Sequence, residues 1–299
     1  MVKICSLKEL EKKHIEMIKA AGNASFVDEA AELLIVPGGI AVKPGKTVKW
    51  IHALSAGVDA LLTEDIIKSD IIVTNSRGVH PIPIAEHVLG MMLAFERGFM
   101  QAFQDQLARR WSQPAVSELH GKTALVVGVG EIGKKIAELC RAFSMRVLGI
   151  KRSACSMPCV DEMHGLEDID RLLPLADYVI IALPLTKETY HLFGRAQFKE
   201  MKKSACIINI GRGSIIDEPE LIDALRSRRI AGAGLDVFER EPLPESSPLY
   251  EMGNVMITSH YSGLTPRYMD RAIDIFCKNL AAYTEGRAMP TLVDKKRGY

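Results

Sequence analysis

Residues 123–143, TALVVGVGEIGKKIAELCRAF, decide the fold of this 299-residue chain. An apolar run is followed by the glycine pattern G-x-G-x-x-G at Gly128, Gly130 and Gly133, and then by a segment with helical periodicity. Strand, tight turn and helix in this order are the context in which the pattern binds a dinucleotide. Gly128 permits the turn, Gly130 lets the backbone approach a pyrophosphate, and Gly133 lets the helix pack closely on the strand. The free N–H groups that open the helix favour phosphate.

Five more apolar segments follow, and helical patterns of crossover length separate most of them. This rhythm is typical of a doubly wound dinucleotide-binding domain. The six predicted strands are TALVVGVG (123–130), MRVLGI (145–150), DYVIIALP (177–184), CIINIG (206–211), GAGLDVF (232–238) and VMITSH (255–260).

The first hundred residues predict a second α/β domain with a mostly parallel sheet. Its strand segments lack a clean polar/apolar alternation, as is expected of strands covered on both faces. Helices are expected over residues 7–22, over 83–111 and over 266–285. The predicted strands are VKIC (2–5), ELLIVP (32–37), VKWIHAL (48–54) and DIIVTN (70–75).

The composition excludes several classes of protein. The apolar fraction of 47% and the charged fraction of 25% are ordinary for a globular chain. A formal net charge of +1 does not provide the excess of positive charge that is typical of proteins that bind nucleic acid or an anionic membrane. No apolar run reaches the ~18 residues that span a bilayer, and the amino terminus does not resemble a signal peptide. The cysteines are dispersed, and Cys155 and Cys159 lack the second pair that a zinc site needs, so a cytoplasmic protein without a metal is expected.

The residues after the second strand of the dinucleotide-binding series indicate the cofactor. An acidic residue there accepts hydrogen bonds from the ribose of NAD, whereas this chain has Lys151, Arg152 and Ser153. Arg152 and Ser153 are suited to a 2′-phosphate. The sequence therefore favours NADP(H), with NAD(H) still possible if these are only solvated loop charges.

Polar residues follow the last three predicted strands, at the sheet edge where open α/β sheets bind ligands. They are Arg212, Asp236, Glu239, Glu241 and His260. A guanidinium can hold the oxygen atoms of a 2-keto acid, and an imidazole can protonate its carbonyl oxygen. A carboxylate beside the imidazole stabilises the imidazolium and fixes the orientation of the ring. This set of residues points to carbonyl reduction.

Over almost the entire chain, the sequence resembles the D-isomer-specific 2-hydroxyacid dehydrogenase family. Seven stretches carry the resemblance, two in the first domain and five in the second. They are LSAGVD (54–59), VTNSRGVHPIPIAEHVLGMML (73–93), VVGVGEIG (126–133), ALPLTKET (182–189), INIGRGSIID (208–217), GAGLDVFEREPLP (232–244) and TSHYSGLT (258–265).

The resemblance implies a role for individual residues. Arg212 matches the substrate-binding arginine, His260 the acid/base and Glu241 its carboxylate partner, while Glu239 is a rival that lies two residues before the motif position. Asp236 is expected to bind the nicotinamide carboxamide. The backbone N–H groups of Ser55, Ala56 and Gly57, together with Arg212 and His260, are expected to bind substrate, and Ser76, Arg77 and His80 are weaker candidates. The predicted cofactor contacts are Gly128, Gly130, Glu131, Ile132, Gly133, Arg152, Ser153, Leu183, Pro184, Ile210, Gly211, Arg212, Asp236, His260 and Gly263.

The family also implies the architecture. We expect an α/β protein of two Rossmann-like or flavodoxin-like parallel-sheet domains with an active-site cleft between them. Residues 1–93 and 270–299 would form the substrate domain, and residues 94–269 the dinucleotide-binding domain. A homodimer built through the cofactor domain is implied too, with the apolar stretch MMLAFERGFMQAF (91–103) as a candidate interface.

The expected reaction is reduction of a small 2-keto acid to its D-2-hydroxy acid. Glyoxylate or hydroxypyruvate is favoured, because SAGVD and the terminal GY (298–299) resemble that subgroup. Formate is disfavoured, because its dehydrogenases have glutamine where this chain has Glu241. Two alternatives remain: a D-3-phosphoglycerate dehydrogenase without a regulatory domain, and a dinucleotide-sensing protein similar to the family's corepressors.

Overall fold

The computed structural model describes residues 1–152 and 156–295, and these form two compact units. Unit 1 is Met1–His80 with Thr265–Tyr299, and unit 2 is Pro81–Leu264. Ser153, Cys155 and the terminal GY lie outside the described residues. No helix of the described part is long and apolar enough to cross a membrane.

The elements of unit 1 up to residue 80 are β1 (Val2–Ser6), α1 (Lys12–Ala21), β2 (Ala24–Phe26), β3 (Leu33–Val36), β4 (Trp50–Ala53), α2 (Glu64–Lys68) and β5 (Ile72–Asn75). Those of unit 2 are α3 (Pro81–Glu96), α4 (Phe99–Leu107), β6 (Thr123–Val127), α5 (Glu131–Ala142), β7 (Arg146–Ile150), β8 (Glu162–His164), α6 (Ile169–Leu172), β9 (Tyr178–Ile181), α7 (Arg195–Glu200), β10 (Cys206–Asn209), α8 (Glu218–Arg226), β11 (Gly232–Leu235) and β12 (Val255–Ile257). The chain then returns to unit 1 as α9 (Tyr268–Thr284).

Both sheets are wholly parallel, which confirms the predicted fold class at the level of each unit. In unit 1 the strand order is β2-β1-β3-β4-β5, the order of a flavodoxin-like sheet. In unit 2 it is β12-β11-β10-β9-β6-β7-β8, the doubly wound order of a dinucleotide-binding sheet. The order reverses between β6 and β9, so the crevice outside the carboxyl ends of these two strands is the expected ligand site of unit 2.

Helix α3 lies in unit 2, whereas the sequence prediction places residues 81–93 in the first domain. Its buried side chains, among them Val88 and Met92, share one apolar cluster with Ile136 of α5 and Val126 of β6. Because these side chains are buried against the larger sheet, the first segment of unit 1 ends at His80 instead of at residue 93.

The structure also departs from the predicted strands and from one predicted helix. The three-residue strands β2 and β8 are absent from the prediction, because neither carries an apolar run and both lie at a sheet edge. The helix predicted over residues 83–111 is two helices, since Gly98 between α3 and α4 has φ of +65°. The second helix ends at Leu107, and the side chain of Trp111 is 96% exposed.

Candidate active site

The three glycines of the turn between β6 and α5 have different surroundings. Gly128 has φ of +108°, and a Cβ atom there would lie 2.7 Å from the carbonyl oxygen of Ala182. A Cβ atom on Gly133 would collide with the carbonyl oxygen of Gly128. Gly130, by contrast, faces open space, and a Cβ atom there would meet no other atom within 4 Å. The chain's own packing therefore requires the outer two glycines, while the space over Gly130 suits a ligand.

The amino end of α5 lies beside that open space. Gly130 is the N-cap of the helix, and Glu131 and Ile132 are its first two residues. N–H groups in the first turn of a helix have no partner within the helix, and they carry the positive end of its dipole. This end of α5 is therefore suited to an anionic group such as a pyrophosphate.

Arg152, which the sequence predicts to favour NADP(H), lies just after β7. Arg152 is 77% exposed, and its Nη2 lies 3.8 Å from Oε2 of Glu188. Lys151 is half-buried, and its N–H donates to the carbonyl oxygen of His164. Ser153 lies outside the described residues. The described residues that follow β7 are therefore basic rather than acidic.

Leu183 lies close both to the glycine turn and to the residues that follow β10. A Cβ atom on Gly128 would touch Cδ2 of Leu183 at 3.0 Å, and one on Gly211 would lie 2.6 Å from the carbonyl oxygen of Leu183. Pro184 is held by the loop that follows it, because Thr189 Oγ1 donates to its carbonyl oxygen at 2.8 Å. Ile210, which precedes Gly211, is buried. The predicted cofactor residues that follow β6, β9 and β10 are thus gathered at one edge of the sheet.

The side chain of Arg212 is exposed and donates one hydrogen bond within the described residues. Its Nη1 donates to the carbonyl oxygen of Gly211 at 2.8 Å, and its own carbonyl accepts from Nδ2 of Asn209 at 3.0 Å. No carboxylate of the described residues forms an ion pair with its guanidinium. Most of the N–H groups of this side chain are therefore available for an anionic or carbonyl ligand.

Gly213 brings Arg212 close to the loop at residues 238–241. A Cβ atom on Gly213 would overlap the backbone of Phe238 and Glu239. Only glycine therefore permits this approach of two backbone segments. The packing places the arginine and the acidic loop on adjoining segments of unit 2.

His260 and Glu241 form a hydrogen-bonded pair. The imidazole Nδ1 lies 2.7 Å from Oε2 of Glu241, and the two side chains are 51% and 37% exposed. The other carboxylate oxygen, Oε1, accepts from the N–H of Phe238 at 3.1 Å. Nε2 of His260 has no partner within the described ranges. Glu241 therefore fixes the ring and leaves one nitrogen free for a ligand.

Glu239, the rival carboxylate, binds a different histidine. Its Oε1 lies 2.6 Å from Nε2 of His191, and Nδ1 of the same ring lies 3.6 Å from Oδ2 of Asp217. The two glutamates of the sequence EREP therefore point to separate histidines. The family resemblance makes Glu241 the partner of His260, and the observed contact agrees with it, whereas no sequence prediction concerns His191.

Asp236 is nearly inaccessible, with 1% exposure, and its carboxylate holds the loop that carries His260. It accepts from Thr258 Oγ1 at 2.6 Å, and from the N–H groups of Tyr261 and Ser262 at 3.1 Å each. Its carbonyl oxygen accepts from the N–H of His260, whose φ is +53°. The observed contacts thus position His260, and a contact with nicotinamide stays a prediction, as it does for Gly263 just after this loop.

His87 supports the same loop, a role that the sequence predictions do not assign to it. Its Nε2 lies 3.1 Å from Thr258 Oγ1. Because the hydroxyl proton of Thr258 is donated to Asp236, the histidine must be the donor in this contact. Burial lowers the pKa of His87 below its usual value, which favours a neutral ring there.

The predicted substrate residues of unit 1 follow β4 at the carboxyl edge of the smaller sheet. The segment Ser55–Ala56–Gly57 is closed by a hydrogen bond from Ser55 Oγ to the carbonyl oxygen of Gly57 at 2.6 Å. Arg77 Nη2 donates to the carbonyl oxygen of Pro290. The ring of His80 packs on Tyr268 with 5.5 Å between ring centroids.

Comparisons with known proteins agree with these features. Residues 89–262 match the family model of the D-isomer specific 2-hydroxyacid dehydrogenase, NAD binding domain. A glyoxylate reductase of Thermofilum pendens is 36% identical over 257 residues, which cover 83% of this chain and 76% of that protein. A D-3-phosphoglycerate dehydrogenase of Methanocaldococcus jannaschii is 31% identical over 100% of this chain and 62% of its own. A crystal structure of a D-isomer specific 2-hydroxyacid dehydrogenase from Xanthobacter autotrophicus Py2, in complex with NADPH, is 28% identical with a TM-score of 0.79, covering 100% of this chain and 99% of that one.

A doubly wound sheet with a glycine turn, followed by a guanidinium and an imidazole–carboxylate pair, defines a nucleotide-dependent oxidoreductase. The chain belongs to the D-isomer specific 2-hydroxyacid dehydrogenase family. It is therefore an NAD(P)-dependent enzyme that acts on 2-hydroxy acids or the corresponding 2-keto acids, as the sequence predicts.

Proposed function

We propose that the protein reduces a small 2-keto acid of the glyoxylate or hydroxypyruvate type to its D-2-hydroxy acid. The observation that carries the proposal is the imidazole of His260, which Glu241 holds through Nδ1 at 2.7 Å while Nε2 stays free. A nitrogen oriented in this way can give a proton to a carbonyl oxygen. Glyoxylate reductases among the relatives support the substrate class.

In the proposed reaction, the bound cofactor supplies a hydride to the carbonyl carbon. His260 gives the proton on Nε2 to the carbonyl oxygen, and the keto group becomes a hydroxyl. The carboxylate of Glu241 holds Nδ1 and so leaves Nε2 free for the carbonyl oxygen. Arg212 holds the oxygen atoms of the keto acid, and the N–H groups of residues 55–57 bind its carboxylate. In the reverse direction, His260 accepts the hydroxyl proton.

We propose NADP(H) as the preferred cofactor and NAD(H) as possible. The support is the basic pair Lys151 and Arg152 after β7, where a carboxylate would repel a 2′-phosphate. Among the described residues Arg152 has an ion pair with Glu188, and at 3.8 Å between exposed side chains this pair is weak enough for a phosphate to replace it. The relative from Xanthobacter autotrophicus is bound to NADPH.

A D-3-phosphoglycerate dehydrogenase is the second candidate, favoured by the relative from Methanocaldococcus jannaschii. Such a substrate needs cations for its phosphate. Arg77 is the loop cation that the sequence offers, and its guanidinium already donates to Pro290. A dinucleotide-sensing corepressor is the candidate from another class, and its family members share the same polar residues.

A substrate panel separates these candidates. We expect glyoxylate and hydroxypyruvate to be reduced at least tenfold more efficiently than 3-phosphohydroxypyruvate, and NADPH to be preferred to NADH, as measured by cofactor absorbance. Preference for the phosphorylated acid would favour the second candidate. Cofactor binding without turnover of any of the acids would favour a sensor.

Replacement of Glu241 by Gln tests the imidazole–carboxylate pair. The neutral amide removes the charged acceptor of Nδ1 and can turn its NH2 group toward the ring, so the orientation of Nε2 is weakened and we expect turnover of a 2-keto acid to fall about tenfold. Glu239→Gln is the matched control, because that carboxylate contacts His191 instead. Equal turnover of the two variants would show that Glu241 does not support proton transfer by His260.

We also propose a cytoplasmic homodimer. Several large apolar side chains in and after α4 are more than half exposed, and a second copy of the chain would cover them. They are Phe99, Phe103, Leu107 and Trp111. Sedimentation of the protein at micromolar concentration tests the assembly, and a monomer would exclude it.

A further inference from the structure

A series of buried hydrogen bonds links side chains of β4 and β5 in unit 1, close in sequence to the Ser55–Gly57 segment. Trp50 Nε1 lies 2.8 Å from Thr74 Oγ1, which lies 2.8 Å from Nδ1 of His52. Nε2 of His52 lies 3.1 Å from Ser76 Oγ, and that hydroxyl lies 3.1 Å from the carbonyl oxygen of Ala53. All of the side chains in this series are buried.

The chemistry of the end groups fixes the direction of every bond in this series. The carbonyl oxygen of Ala53 can only accept, so Ser76 gives it the one hydroxyl proton and accepts from Nε2–H of His52. Nδ1 of the neutral ring must then accept the hydroxyl proton of Thr74, whose oxygen accepts from the indole N–H of Trp50. Burial lowers the pKa of His52 to about 3, so the ring stays neutral and this direction persists across the physiological range.

The same region holds three consecutive carbonyl groups just beyond β4. The carbonyl oxygen of Leu54 accepts from the hydroxyl of Tyr268 at 2.9 Å. The carbonyl oxygen of Ser55 accepts from the N–H of Ser76 at 2.9 Å, and that of Ala56 accepts from Nδ2 of Asn75 at 2.7 Å. The donors are Asn75 at the end of β5, Ser76 directly after it, and Tyr268 at the start of α9.

These contacts determine where the N–H groups of the segment point. In a planar trans peptide, the carbonyl and the following N–H point in opposite directions. The N–H groups of Ser55, Ala56 and Gly57 are therefore directed away from the donors that hold the carbonyls. None of the three has an acceptor among residues 1–152 and 156–295.

We propose that Tyr268, Asn75 and Ser76 are positioning residues for the substrate: by holding the carbonyls of residues 54–56, they orient the N–H groups of residues 55–57 toward the substrate carboxylate. His52 holds Ser76 in place through the hydrogen bond between Nε2 and the Ser76 hydroxyl. The inference rests on the proposed function, because it deepens the role given there to these N–H groups. Burial raises the pKa of Tyr268, so its hydroxyl remains a donor at working pH.

Tyr268→Phe is the direct test, because it removes one donor and keeps the ring. Tyr283→Phe is the matched control: Tyr283 lies on the same helix, its ring centroid is 5.0 Å from that of Trp50, and among the described residues it has no hydrogen bond to residues 54–57. We expect Tyr268→Phe to raise KM for glyoxylate about fivefold and leave kcat and the Kd for NADPH within twofold, because a carboxylate contact is made in the ground state and the transition state alike.

Binding of oxalate to the NADPH-loaded protein, followed by calorimetry, gives a second measurement that needs no turnover. We expect the same loss of affinity in Tyr268→Phe and none in Tyr283→Phe. If both variants match the wild type in KM and in oxalate affinity, the positioning role is overturned while the proposed reaction stands. If the wild type reduces no keto acid but Tyr268→Phe still loses oxalate affinity, the proposed reaction fails and the positioning role stands.

Discussion

Turnover of a 2-keto acid is expected to fall about 10³-fold in His260→Ala, since a positioned acid/base contributes 10²–10⁴-fold. The free Nε2 is the atom that would carry the transferred proton, and alanine cannot replace it. A loss of this size corresponds to ~4 kcal/mol of transition-state stabilisation. NADPH should still bind with nearly unchanged affinity, because the glycine turn and the amino end of α5 are untouched. Fluorescence titration measures the binding, and single-turnover absorbance measures the chemistry.

His191→Ala is an unusually close control for this variant. His191 has φ of +49° against +53° for His260, so both substitutions place alanine in the same left-handed backbone conformation. Each ring also contacts one glutamate of the EREP sequence, at 2.6 and 2.7 Å. Backbone strain and loss of an ion pair are thus common to both variants. Turnover of His260→Ala equal to that of His191→Ala would remove His260 from the mechanism.

The sequence predicts the parts of the site that local pattern determines. The roles of Gly128 and Gly133 follow from their spacing after an apolar strand, and the structure shows the close contacts that this spacing implies. The choice of Glu241 over Glu239 comes from the resemblance to the family rather than from local pattern, and the observed contact with His260 agrees with it. Residues at the ends of successive parallel strands meet at one sheet edge, so they could be found without coordinates.

The supporting residues could not be found in this way, because their partners are distant in the sequence. Tyr268 contacts Leu54 across 214 positions, and His87 contacts Thr258 across 171. Asp236 is attributed to the cofactor by its position, yet its visible contacts fix the His260 loop. Periodicity and spacing describe one element at a time. Contacts between distant elements depend on how the helices and strands pack, which no local pattern contains.

Arg212→Lys should lower kcat/KM for the keto acid by ~10² or more, a loss of ~3 kcal/mol. The guanidinium of Arg212 has no carboxylate partner among the described residues, and one of its nitrogens is steadied by the carbonyl oxygen of Gly211. Its planar fork can therefore hold two oxygen atoms of a substrate at once. A lysine ammonium keeps the charge, but it is a point donor on a flexible chain, so electrostatic attraction survives while the geometry is lost.

Arg240→Lys provides the matched control for charge and exposure. Arg240 is also exposed and lies in the loop that Gly213 contacts, between the two glutamates. It has no hydrogen bond or ion pair to the described residues. We expect that variant to keep kcat/KM within twofold. Because both variants retain the positive charge, a tenfold or smaller loss in Arg212→Lys would mean that attraction alone suffices and that the planar fork does not orient the substrate.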